Sequence, residues 1–224
     1  MTDEKSKEKD SCAGVSQDLL DGSADMDILI ELASIGAGHA ATSLSEILQQ
    51  QVSIGVPRIH NVPAHLLPKI FGLHEMPTTA MYVQLSGDTA CDILLMLEAD
   101  EARNVAAMMT MAPSVDEMDP ALGASAVEEL ATILVGSFLN AISDFLEVRL
   151  MQAPPERIAD AFDAILDAVL TKNAMVYEES LMFDISFRTS GKVSKCLLLL
   201  FPSPALRCML VQKSKAMMGV NPLE

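Results

Sequence analysis

The chain repeats itself. Glu31-Leu32-Ala33-Ser34-Ile35 recurs as Glu129-Leu130-Ala131-Thr132-Ile133, 98 residues later. Without a gap, the same offset pairs Gly38 with Gly136, Ser45 with Ser143, Leu48 with Leu146 and Pro57 with Pro155. Conservative partners fill in: Asp27 with Ser125, Leu44 with Ile142, Glu46 with Asp144. Further on, Leu85-Ser86-Gly87 corresponds to Thr189-Ser190-Gly191 at an offset of 104. Such a chain must fold as two copies of one plan. Each copy is small for a core of its own, which predicts a single pseudo-two-fold unit.

Hydrophobic periodicity outlines that plan. Residues 1–24 are polar and read as a flexible arm. From Asp25 to about Gln50 the pattern is helical, with Ile28, Leu32 and Ile35 at i, i+4 and i+7. That helix would be about 39 Å long. Pro57 and Pro63 punctuate an extended or loop stretch. Met81 to Leu85 and Cys91 to Leu97 predict a hairpin around Ser86-Gly87-Asp88-Thr89. Asp100 to Met111 follows as a helix with Asp100 at its N-cap and Pro113 past its end. The second copy reads as a long helix over Ala124–Glu147, Pro154-Pro155, a helix over Ile158–Leu170, a hairpin of Leu181–Phe187 with Lys195–Phe201, and a helix over Ala205–Met218. The fold class is α/β, with one domain over 25–218 made of repeats at about 25–118 and 123–218.

Charge excludes whole classes of function. Fifteen Lys+Arg against 31 Asp+Glu leave a formal charge of −16. That lacks the cationic surface needed for phosphate backbones or anionic membranes, so no nucleic-acid role and no membrane insertion are expected. The most apolar stretches, Cys91–Leu97 and Cys196–Phe201, are strand-sized, short of the roughly 20 residues of a spanning helix. The start MTDEKSKEKD does not read as a secretory signal. A cytoplasmic location and free, buried thiols are expected for Cys12, Cys91, Cys196 and Cys208.

Asp27, Glu31, Ser34 and Gly38 sit at i, i+4, i+7 and i+11, on one helix face. Ser125, Glu129, Thr132 and Gly136 occupy the equivalent face of the second long helix. A solvated helix side would show the same residue types. An ordinary solvent-facing position, however, has no reason to carry Glu in both copies.

These residues resemble the CheC/CheX/FliY family of chemotaxis proteins. The family signature is Asp or Ser, three residues, Glu, two residues, Asn, then 22 residues and Pro. Asp27, Glu31 and Pro57 fit it in the first copy, and Ser125, Glu129 and Pro155 in the second. The likeness runs through Pro154-Pro155-Glu156-Arg157-Ile158-Ala159-Asp160 and covers roughly residues 25 to 215. It implies a CheC-like fold, with two long paired helices packed on a β-sheet. It also implies a hydrolase that dephosphorylates a phosphorylated CheY-type response regulator, with the deamidase CheD as a further partner. The Glu would bond a lysine of the regulator, and the Asn side chain would place water in line with the aspartyl phosphate. The regulator itself would carry the Mg²⁺, leaving the chain with no cofactor or metal of its own. Asp160 aligns with a position associated with CheD contact.

The family's Asn is Ser34 in the first copy and Thr132 in the second. Their hydroxyls sit one bond from Cβ and lack the planar amide that donates and accepts at a fixed distance. Three outcomes stay open: a weak phosphatase, a docking module without hydrolysis, or a site in which hydroxyls replace the amide. The expected catalytic residues are Glu31, Ser34, Glu129 and Thr132, with Asp27, Ser125 and Asp160 as partner contacts. The non-catalytic alternative is an adaptor for CheD or the regulator. Pseudo-symmetry within one chain predicts a monomer. His39 reads as a packed or hydrogen-bonded helix histidine rather than a catalytic base, and His60, His65 and His74 lack metal-ligand spacing.

Overall fold

The computed structural model describes residues 23–55, 58–67, 75–173, 179–189 and 192–217. In chain order the elements are α1 (Ser23–Leu48), β1 (Val52–Ile54), β2 (Arg58–Pro63), a 3-10 turn (Ala64–Leu66), β3 (Pro77–Gly87), β4 (Cys91–Glu98) and α2 (Ala99–Met109). There follow α3 (Pro120–Leu146), β5 (Leu150–Gln152), β6 (Glu156–Ala161), α4 (Phe162–Asn173), β7 (Glu179–Thr189), β8 (Lys192–Pro202) and α5 (Pro204–Met217).

One mixed-length antiparallel sheet holds the strands together in the order β1-β7-β8-β4-β3-β5. Strand β2 is also paired with β7, and β6 with β3. The order reads the same from either end when β1 to β4 are exchanged with β5 to β8. Each hairpin is therefore flanked by the short strands of the other half.

Cys91–Leu97 is buried without a break because β4 lies mid-sheet and both faces are covered. Ile93, Leu95 and Leu97 meet the core under α1, α2, α3 and α5. Leu94 and Met96 meet the core under α4, built from Phe162, Ile165, Leu166 and Val169. Asp92 is the exception within that strand. Its Oδ2 accepts a 2.5 Å bond from the Tyr82 hydroxyl, and both side chains are buried.

Several boundaries differ from those predicted. The helix expected over Ile158–Leu170 begins only at Phe162, because residues 156–161 add to β3 as the edge strand β6, with Ile158 opposite Ala80. The helix expected from Ala124 begins at Pro120, capped by Asp119, whose Oδ1 accepts from the Ala121 amide at 2.8 Å. Asp100 is not the N-cap of α2. Glu98 holds that position without a side-chain bond, while Asp100 lies in the first turn paired with Arg103.

The hairpin alignment shifts as well. Val52 is opposite Thr189, and Leu150, its counterpart 98 residues on, is opposite Gly87. Gly87 therefore corresponds to Thr189, 102 residues later rather than 104. The second turn is shorter, and local sequence similarity at Ser-Gly hides that. Gly87 has φ +144°, and a Cβ there would stand 2.1 Å from the Arg149 carbonyl oxygen. Asp88 reinforces the same junction, its amide donating to the Arg149 carbonyl and its carboxylate accepting from the Arg149 amide, each at 3.0 Å.

Cys91 and Cys196 are free and buried, and burial pushes both thiols well above their ordinary range, with Asp92 adding to the effect at Cys91. Cys208 departs from the expected free thiol, being disulfide-bonded. Among the described residues, the segment nearest to membrane-spanning character is α3 rather than either strand. It is 27 residues long and apolar enough, and half of its most apolar window is buried inside the fold. Residues 1–22 of the predicted arm, Pro57, His74 and the turn residues Ser190-Gly191 lie outside the described residues, while the arm's last two residues, Ser23 and Ala24, already belong to α1.

Candidate functional site

The two long helices carry the candidate site. On α1 the inward line is Leu29, Leu32, Ala33, Gly36, Ala37, Ala40, Leu44 and Leu48. On α3 it is Val127, Leu130, Ala131, Leu134, Val135, Phe138 and Ala141. The small residues at the middle of α1 let Phe138 pack against Gly36, whose imagined Cβ would lie 3.0 Å from Phe138 Cα. Phe138 also meets Phe183 of β7 edge-on at 5.9 Å between ring centres, which seats α3 on the sheet.

With those faces turned inward, the polar stripes face out. Asp27, Glu31 and Gly38 are exposed and Ser34 is half-buried. Ser125 and Glu129 are exposed, and Thr132 and Gly136 half-buried. The structure thus brings Asp27, Glu31 and Ser34 together on one helix surface, and Ser125, Glu129 and Thr132 on another. Within the described residues neither Glu31 nor Glu129 has a side-chain hydrogen bond or an ion pair. Two carboxylates left unengaged suit a partner's cation. His39, expected to be packed or hydrogen-bonded, is exposed beside Gly38.

Both hydroxyls turn back on their own helix. Ser34 Oγ donates to the Ile30 carbonyl at 2.8 Å, and Thr132 Oγ1 donates to the Glu128 carbonyl at 3.0 Å. In that pose each spends its only hydrogen on the backbone and keeps acceptor capacity alone. Either can accept a hydrogen bond from water; neither can donate to a phosphoryl oxygen.

Asp160 stands apart from both stripes. It is exposed on β6, opposite Thr78, with Oδ1 accepting from the Ala161 amide at 2.7 Å. Pro155 lies in the connection between β5 and β6.

One residue beside the second stripe is not announced by any motif. Gln152, at the end of β5, lays its amide along α3. Nε2 donates to the Thr132 carbonyl at 3.4 Å, and the amide atoms lie 3.6 to 4.0 Å from where a Gly136 Cβ would be. The signal in the sequence is a mismatch, since its counterpart 98 residues earlier is Ile54.

The CheC-like family model matches residues 25–60, the stretch that holds Asp27, Glu31 and Ser34. The CheY-P phosphatase CheC of Bacillus subtilis is 28% identical over 164 residues, 72% of this chain and 78% of CheC. The flagellar motor switch phosphatase FliY of the same organism is 29% identical over 132 residues, 58% of this chain and 34% of FliY. The chain therefore spans about a third of FliY's length. In structure it is similar to Thermotoga maritima FliY, with a TM-score of 0.67 at 20% identity over 87% of this chain and 98% of that one. FliM from the Helicobacter pylori FliM-SpeE complex aligns with a TM-score of 0.60 at 9% identity, over 87% and 96% of the two chains. At those identities the structures speak for the fold alone. In its motif-bearing helix, in the relatives it matches and in its fold, this chain is similar to CheC-like proteins.

Proposed function

We propose that this chain is a cytoplasmic chemotaxis phosphatase that speeds hydrolysis of the aspartyl phosphate on a CheY-type response regulator. The observation that carries this reading is the pair of unengaged glutamates, each one helical turn ahead of a hydroxyl, on two helices packed side by side. Glu31 and Glu129 take a lysine of the regulator, with Asp27 and Ser125 extending the contact. Ser34 and Thr132 then accept a hydrogen bond from the attacking water. Phosphoryl transfer responds to positioning and charge stabilisation, so a docking surface that holds one water suffices in principle. The regulator brings its own Mg²⁺. Both repeats act within one monomeric domain.

The committed hydroxyl hydrogens favour a second reading. An adaptor would dock the regulator through the same glutamates, or CheD through the edge that carries Asp160, without hydrolysis.

The decay rate of phosphorylated CheY, with and without the chain, separates the two. The phosphatase reading expects an acceleration that Glu31→Lys combined with Glu129→Lys removes. A decay unchanged at saturating chain would overturn it in favour of the adaptor.

A further inference from the structure

We infer that Gln152 supplies the carboxamide missing from the second motif copy, which makes that copy the more active of the two. The inference rests on the phosphatase reading above.

The Gln152 amide rests against the backbone between Thr132 and Gly136, beside the stripe that bears Glu129. A Cβ at Gly136 would only touch the amide, at 3.6 to 4.0 Å, so the two residues are in contact distance without the glycine being required. The hold on the amide is weak. A single 3.4 Å bond fixes Nε2, and Oε1 is buried with no hydrogen bond from the protein. An unsatisfied buried acceptor costs about 1–3 kcal/mol, so rotation of the side chain toward a docked, hydrated partner is favoured. Three rotatable side-chain bonds give the amide the reach that the Thr132 hydroxyl lacks.

The first copy offers no such group. Ile54 stands where Gln152 would, and nothing lies within 4 Å of a Cβ built on Gly38.

In the step itself, the oxygen of water bonds to phosphorus while the bond from phosphorus to the regulator's aspartate oxygen breaks. The proton shed by water leaves on the released phosphate. The Gln152 carbonyl oxygen accepts from that water and its NH₂ donates to the phosphoryl group, so the amide neither gains nor loses a proton.

The test uses acetyl-phosphate-charged CheY for decay and beryllofluoride-bound CheY for affinity. Gln152→Ala and the isosteric Gln152→Glu should each slow the accelerated decay by about tenfold or more, since loss of one positioned group commonly costs on the order of 10²-fold. Affinity for beryllofluoride-bound CheY should hold for Gln152→Ala, with thermal melting confirming its fold. Adding Thr132→Asn to Gln152→Ala should restore the rate. Decay as fast as wild type in both single variants overturns the inference while the phosphatase reading stands. A loss of affinity that matches the loss of rate also overturns it, in favour of docking. A wild-type chain without any effect on decay overturns the phosphatase reading itself, and this inference with it.

Discussion

Gly36 of α1 faces the backbone of Phe138 on α3, so closely that a Cβ on Gly36 would stand 3.0 Å from Phe138 Cα. Ninety-eight residues along, the counterpart of Gly36 is Leu134, and the counterpart of Phe138 is Ala40. At both of these repeat positions α1 carries the small residue and α3 the large one, so the two copies have diverged in complementary directions where the helices meet.

Gly36→Val should wedge the two helices apart. Overpacking of this kind costs about 1–3 kcal/mol, read as a lower urea midpoint at an unchanged slope. An undisturbed midpoint would mean that the helices separate freely.

Restoring the amides tests the chemistry directly. Ser34→Asn should raise phosphate release from CheY-P, by up to about 10²-fold if water placement is what the hydroxyl lacks. Thr132→Asn should gain less, because Gln152 already stands beside that copy. Equal gains at both positions would count against the asymmetry.

The helices and hairpins were legible because their apolar periods agree with their final environment. Strand β6 was not. Ile158, Phe162, Ile165, Leu166 and Val169 keep helical spacing straight through the strand, and only the open edge of β3 decides that residues 156–161 extend. The stripes could be read from the duplication, since Glu31 and Glu129 occupy the same place in both copies. Gln152 could not, because its neighbours Thr132 and Gly136 come from another element and meet it only in the folded chain. The direction of the Ser34 and Thr132 hydroxyls is likewise invisible until the helices are built.

Tyr82→Phe should destabilise the sheet. It removes the donor to a buried carboxylate and leaves Asp92 Oδ2 short of a partner, at a cost of about 1–3 kcal/mol in chemical denaturation. Gln84→Ala, which removes only a 3.2 Å bond to the same hydroxyl from an exposed side chain, should cost less.

Glu147 ends α3 and pairs with Lys213 of α5 at 2.6 Å. The bond and charge of Lys213 hold the Glu147 carboxyl below its ordinary range. A depressed folded-state pKa stabilises above the unfolded carboxylate pKa and ceases to as pH falls through the folded value. Lys213→Ala should therefore melt slightly below wild type at neutral pH, and the two curves should converge in acid. Added salt should narrow the same gap.

The exchange of short strands has a consequence for how such a chain can be divided. Because β1 and β2 are hydrogen-bonded to β7, and β5 and β6 to β3, a cut in the connection between α2 and α3 leaves two fragments with bare hairpin edges. Neither fragment would fold alone, yet mixed together they could close the sheet again, as interlocked pieces do. The two glutamate-bearing stripes are inseparable when built this way: deleting one half to study the other destroys both.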